Sequence, residues 1–334
     1  MRTALITTTV NVPHVLALYR KLDPDVRFFV AGDRKTPQAA YDFCDALGNC
    51  VALRPTAQTK WKCSELISWD NDSRRDIALL EALQWGADIV VSVDDDMVVC
   101  SPDFFERIET VLTTPYSGLQ FGRAGYWCDA GQFTVPPARQ RGLPLECETH
   151  NDMTFVSGAS IGALQGIILG VPDTDSLTMY VSKPQVLSAT DVLHSGLVMH
   201  PEALGVFNSQ FSAFRRELAP AFAQFYKWQN RNTDIIASVI MRRIMRVNKL
   251  YTYFGLPTGY HARTARNPVK EFKAELFGLE QIQSVATVLE RMDRFAVDKS
   301  IVRQIYEKLA TLEWWPERCA EAAFAFLDDA ETTL

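Results

Sequence analysis

The sequence predicts an α/β protein whose first half is a doubly wound parallel sheet. Three observations carry that expectation. β-patterned runs alternate with helical ones through the first hundred residues. One of these runs, Ile89–Val93 (IVVSV), is apolar almost without a break, the pattern of a strand buried on both faces. It ends abruptly in Asp94-Asp95-Asp96, and open α/β sheets bind ligands beyond the carboxyl ends of their strands.

The elements read in order as follows. Ala4–Thr9 is a strand that turns toward Pro13. Val26–Val30 is a second strand, stopped by the turn pair Gly32-Asp33. Gln38–Leu47 has helical spacing and Cys50–Leu53 is a short strand. A helix runs from about Asp72 to Trp85, with Asp72 or Ser73 as its cap and Gly86 as its stop. Residues 115–205 hold many turn signals and read as short strands and loops. Helical pattern returns over Phe207–Tyr226. Thr233 caps a helix over Asp234–Val247, with Ile236, Val239, Ile240 and Ile244 on one side. A strand at Lys249–Tyr253 leads into the loop GLPTGYHARTARNP. Residues 279–334 are helical and charged, and the Trp314-Trp315 pair reads as core in preference to an oligomer contact.

Composition narrows the function. The chain has 334 residues, 47% hydrophobic and 11% aromatic, which excludes a disordered, collagen-like or coiled-coil protein. At about 150 residues per domain the length suits one large domain or two. No apolar run reaches the roughly 18 residues of a membrane span, and the N-terminus lacks the apolar stretch of a signal peptide. The seven cysteines are odd in number and scattered, with no CxxC. Neither a zinc site nor a disulfide framework is expected, and a cytoplasmic location is. The net charge of −6 is uneven: residues 211–278 carry twelve basic and four acidic side chains, leaving −14 elsewhere. A basic zone in an acidic chain suggests an anionic ligand held at one place.

Three patterns carry chemistry. Three consecutive carboxylates repel one another and resist burial, so they need a cation or strong donors. Hard oxygen ligands at a strand end suit Mg²⁺ or Mn²⁺, and such an ion could bridge carboxylates and a diphosphate. Arg74 and Arg75 begin a helix, where cations oppose its dipole. They are either surface residues or are held by an anion. His261, in a Gly/Pro-rich loop with Arg263 and Arg266, suits diphosphate contact, with the histidine as a metal ligand.

The segment RDIALLEALQWGADIVVSVDDD, residues 75–96, resembles the reversibly glycosylated polypeptides of plants, which are UDP-arabinopyranose mutases with a GT-A-type glycosyltransferase fold. Four further segments are similar to that family in the same order: GIILGVPDTDSLTMY (166–180), FNSQFSAFRREL (207–218), NRNTDIIASVI (230–240) and FGLPTGYHARTARNPVKEFKAEL (254–276). ITTTVNVP and FVAGDRKTP at the front resemble a related nucleotide-sugar transferase group. The resemblance implies a GT-A-like, Rossmann-like catalytic domain over 1–278 and a helical extension over 279–334. It also implies roles. Asp94 and Asp96 frame a DXD element and, with His261, hold the metal. Asp94 or Asp95 contacts ribose or a metal-bound water. Thr8, Thr9 and Asp33 sit near the nucleoside, and Arg75, Arg263 and Arg266 near the phosphates. Asp234 touches the sugar or takes the acceptor's proton, with Asp95 as a second catalytic acid. Two departures stand out: Thr233 replaces the first acid of the family's DD pair, and nothing matches the arginine of its SLREG segment.

The expected function is a metal-dependent glycosyltransferase using a nucleotide-diphosphate sugar, a UDP-sugar first, with Mn²⁺ or Mg²⁺. The acceptor is open, a polyanion such as modified DNA being one candidate, and so is oligomerisation. A pyranose/furanose mutase and a non-catalytic nucleotide-sugar binder are the alternatives.

Overall fold

The fold comes from a computed structural model that describes residues 1–225, 230–263, 267–292 and 301–333. The first half runs β1 (Thr3–Thr9), α1 (Leu16–Leu22), β2 (Arg27–Gly32), α2 (Gln38–Ala46), β3 (Cys50–Leu53), α3 (Pro55–Gln58), α4 (Arg75–Trp85), β4 (Ile89–Val93), β5 (Met97–Val99), α5 (Phe104–Thr113) and β6 (Tyr116–Phe121). The second half runs β7 (Thr134–Val135), β8 (Met153–Gly170), α6 (Ser176–Ser182), β9 (Ser188–Ala189), α7 (Asp191–Ser195), β10 (Leu197–Met199), β11 (Phe211–Arg215), α8 (Thr233–Val247), β12 (Leu250–His261), α9 (Pro268–Arg291), α10 (Ile301–Ala310) and α11 (Glu317–Glu331). Among the described residues, ten strands form one sheet in the order β3-β2-β1-β4-β11-β8-β6-β10-β12-β5, and β7 pairs separately with β9. The expected α/β architecture, with a large central sheet and helices at the C-terminus, is what the chain adopts.

The parallel sheet expected from the first hundred residues is the β3-β2-β1-β4 half. Beyond β4 the sheet is mixed, because β11 runs antiparallel to both β4 and β8. This corrects the helical expectation over Phe207–Tyr226. FSAFR is too short for its period to separate strand from helix. Between two strands its backbone is paired on both edges, and Phe211, Ala213 and Phe214 are buried.

Three local expectations also shift. Asn71, not Asp72 or Ser73, caps the turn before α4, its side chain accepting from the Ser73 N–H at 2.9 Å. Gly86 stops α4 as expected, in the left-handed conformation (φ 90°) that favours glycine. Asn232 precedes α8, and Thr233 is that helix's first residue rather than its cap. The loop read at GLPTGYHARTARNP is strand through His261, because β12 continues along β8 and β5.

The expected boundary at 278 falls inside α9, which runs unbroken from Pro268 to Arg291. Ile305, Tyr306, Trp315 and Phe326 join the same hydrophobic core as Ile77, Leu79 and Leu83 of α4. The Asp329 carboxylate accepts the Cys63 N–H at 2.8 Å. The C-terminal helices therefore complete the core of the sheet domain and do not hang from it. Of the tryptophan pair expected in the core, Trp315 is buried and Trp314 is half-buried against it. No described helix is long and apolar enough to cross a membrane.

Candidate active site

Sheet register assembles the site. At the carboxyl end of β4 the chain turns through Asp95 and Asp96 into β5. Strand β5 pairs with β12 so that His261 faces Met97, which sets the imidazole next to Asp96. On the other side, Phe211 pairs with Val93, and the Asp94 N–H donates to the Gln210 carbonyl at 2.9 Å. A cleft of about 610 Å³ opens over these strand ends. Its walls include Thr8, Thr9, Arg75, Asp94, Asp95, Asp96, Asp234, His261 and Arg263, nine of the eleven residues named from the sequence.

The other two differ. Asp33 does not line the cleft. It is buried, and its carboxylate accepts the N–H groups of Arg34 and Asp70, both at 2.6 Å. It fixes the loop after β2. Arg266 lies outside the described residues.

The three consecutive aspartates each take a different partner, which resolves their mutual repulsion. Asp94 pairs with Arg75 at 2.5 Å. The Arg75 guanidinium is buried and also donates to Ser92 Oγ and to the Ser209 hydroxyl and carbonyl. Asp94 is thus the anion that holds Arg75. Arg74 is held differently: it is fully buried, donates to Gln58, Ser64 and Ile67, and stacks on Trp69. Burial lowers its pKa to about 10, against the opposing charges of Asp33, Asp76 and Glu65.

Asp95 meets the Thr9 hydroxyl. That hydroxyl has one proton and a second acceptor, the Asn11 carbonyl at 2.7 Å. Burial pushes the Asp95 pKa up to about 6; Thr9 opposes the rise, and the Asp94 and Asp96 charges add to it.

Asp96 lies 3.4 Å from His261 Nε2. His261 Nδ1 is 2.8 Å from the Val171 carbonyl, a contact that fixes the ring and, with the proton on Nδ1, leaves the Nε2 lone pair toward Asp96. Burial pulls the His261 pKa down, but the Asp96 carboxylate outweighs it and the pKa is raised. The expected set of Asp94, Asp96 and His261 does not converge, since Asp94 is turned to Arg75. Among the described residues no three His, Cys, Asp or Glu side chains form a metal cluster. The Asp96–His261 pair still offers one carboxylate and one imidazole. This donor set fits Mn²⁺ or Mg²⁺ when phosphate oxygens and water complete the sphere.

The far wall is an ionic network that sequence reading did not identify. Arg141 donates to Asp173 at 2.8 Å and to both oxygens of Asp234 at 2.8 and 3.1 Å. Asp173 also accepts from Asn208 Nδ2 at 3.1 Å. Arg231 reaches Glu271 and Glu275, and Arg263 reaches Glu271 at 2.6 Å. Arg231 and Arg263, which reach the cleft from the basic zone of 211–278, are thus both paired with glutamates, and Arg263 is not an unopposed diphosphate clamp. Asp234 faces the cleft with its carboxylate already engaged by Arg141 and by the Ile235 N–H. Asp173 and Glu271 sit in segments whose family resemblance was noted, but charge counting alone does not pair them.

Asp173 supplies a pH prediction. Burial would raise its pKa, but the adjacent Arg141 guanidinium outweighs burial and carries it down to about 2. A depressed carboxylate contributes stability that is fully present above its unfolded value, near 4, and is lost as pH falls toward 2. The contribution is on the order of 2 kcal/mol. Asp173→Asn should therefore flatten the loss of stability between about pH 4 and 2, as read by urea unfolding. An unchanged slope in that window would refute the pairing.

No family model matches the chain, and no curated protein does. Among solved structures 26 chains match. One is the mannosyltransferase PcManGT from Pyrobaculum calidifontis in complex with GDP-Man and Mn²⁺, 14% identical, covering 99% of this chain and 86% of that one at a TM-score of 0.40. A second is glucosyl-3-phosphoglycerate synthase of M. tuberculosis, 14% identical, covering 88% and 82% at 0.43. A third, a mycobacterial protein, is 12% identical and covers 86% and 73% at 0.36.

Proposed function

We propose that this chain is a metal-dependent glycosyltransferase of GT-A-like fold that takes a sugar from a nucleotide-diphosphate donor. The observation that carries the reading is the Asp96–His261 pair, set by strand register at the floor of a roomy cleft at the carboxyl ends of β1 and β4. Mn²⁺ or Mg²⁺ held by Asp96 and His261 would neutralise the charge that grows on the leaving diphosphate. The chain's own residues do the rest. Thr8, Thr9 and Asp94 line the nucleoside side. Arg75, locked to Asp94, lends that wall a buried positive charge. Asp95 is better suited than Asp234 to accept a proton: its pKa is pushed up toward working pH, whereas Arg141 grips Asp234 with two hydrogen bonds. Asp234 instead positions Arg141 and the Ser209 backbone at the sugar side. A UDP-sugar is the first donor to test, on the sequence resemblance, and the scattered cysteines favour a cytoplasmic setting.

The test is a thermal-shift screen of UDP- and GDP-sugars with Mn²⁺. A matching donor at about 100 times its Kd should raise stability by about 2.7 kcal/mol, and EDTA should remove most of that gain. Stabilisation that ignores EDTA would refute the metal assignment. Product analysis separates the alternatives. Free nucleotide formed with an acceptor supports transfer, and a ring-isomerised donor replaces it with mutase chemistry. Donor binding without turnover reduces the chain to a sensor.

A further inference from the structure

Beside the cleft mouth, two helices expose apolar side chains that the fold does not use. Helix α6 packs on α9, and the Ser176 N–H donates to Glu275 Oε2 at 2.6 Å. Leu177 and Leu276, the residues that follow this contact on each helix, both face solvent, so the two outward faces adjoin there. Tyr180 and Val181 extend the face on α6, and Val269 and Phe272 extend it on α9. Val181 and Val269 are 72% and 62% exposed. Adjoining apolar side chains of this kind mark an interaction surface.

Charge selects the occupant. Lys183, Lys270 and Lys273 are exposed along the same two helices. Three of the acids there are turned inward, Glu271 and Glu275 pairing with Arg231 and Asp175 capping α6 by accepting from the Thr178 N–H, while Glu280, one turn beyond Leu276, is exposed. The face is thus apolar and cationic in a protein whose net charge is −6. A second copy of the chain would oppose lysine to lysine. A duplex nucleic acid would use the lysines and leave the apolar groups in water. An anionic bilayer uses both, with Leu, Val and Phe entering the headgroup boundary and lysines meeting lipid phosphates. We propose that the α6–α9 face docks the protein on an anionic phospholipid surface. The first turns of α9 also supply Asn267, Lys270 and Ala274 to the cleft wall, so docking turns the cleft mouth toward the headgroups. On the transferase reading, and resting on it, the acceptor class is then a headgroup hydroxyl or phosphate.

The experiment is cosedimentation of the full chain with vesicles of phosphatidylcholine alone, or mixed equally with phosphatidylglycerol. Binding is expected to the mixed vesicles and not to the neutral ones. Phe272→Asp and Val181→Asp should each lower the partition coefficient at least about tenfold, and Lys273→Ala about fivefold. Thermal unfolding should match the parent, because these side chains are exposed. Equal partition onto both vesicle types, or variants that partition like the parent, would overturn the proposal. A dimer that Phe272→Asp dissolves, without vesicle binding, would overturn it in favour of a second copy. Vesicle binding without donor binding would leave the docking face standing and remove the transferase reading; donor binding without vesicle binding would do the reverse.

Discussion

Asp96→Ala is expected to lower nucleotide-sugar turnover by about 10²- to 10³-fold while shifting the unfolding midpoint little. The size follows from the lack of a substitute. Asp94 is bound to Arg75 and Asp95 meets Thr9, so neither neighbour can replace the carboxylate beside His261 without giving up its own partner. The effect on stability is small because the Asp96 side chain is 22% exposed to cleft water and most of the His261 ring's packing survives. Steady-state release of free nucleotide with saturating Mn²⁺ reads the first quantity and thermal unfolding the second. Turnover within a few-fold of the parent would sink the metal role of Asp96.

Arg141→Ala should instead cost stability, about 3–5 kcal/mol in urea unfolding. It strips the guanidinium from Asp173 and Asp234, two carboxylates whose side chains are only 11% and 10% exposed. Removing one partner of a buried pair leaves the desolvated charge uncompensated, which is far worse than never having buried it. Arg141→Lys should recover only part of the loss, because an ammonium cannot reproduce hydrogen bonds to both Asp234 oxygens and to Asp173. The double variant Arg141→Ala with Asp234→Asn should be less damaged than the two single losses added together. A single-variant loss below about 1 kcal/mol would mean that the network is solvated and contributes little.

These residues also show what the sequence could reveal. The Ile89–Val93 strand and the acids after it are local: an apolar run and an abrupt charge lie within eight residues. Their position at the cleft was therefore legible. Thr9, at the end of β1, and Arg75, at the start of α4, were placed there by the family resemblance and not by a local pattern. His261 was legible as a residue but not as a strand terminus, because Gly, Pro and Thr in GLPTGYH mask a pairing that β8 and β5 impose from outside. Arg141 was not legible. Its partners lie 32 and 93 residues along the chain, and pairing at that separation is decided by topology. Counting charge along the chain also cannot say which charges are matched, since the Arg231–Glu271 pair spans 40 residues. A stretch that sums to strongly positive can still present paired arginines at a cleft when glutamates of the same stretch fold back on them.

The pairing of Tyr260 with Val98 and of His261 with Met97 carries a final consequence. Side chains alternate across a sheet, so sliding β12 past β5 by one residue would turn the imidazole to the opposite face and leave Asp96 facing a different side chain. The Asp96–His261 contact therefore depends on the number of residues between Gly255 and His261 as much as on their kinds. Conservative exchanges there leave that spacing intact. A one-residue deletion must either be absorbed by the irregular pairing at Gly255/Thr258 or carry His261 away from the cleft. In a lineage of such proteins, length changes should be rarer than residue changes in this short stretch.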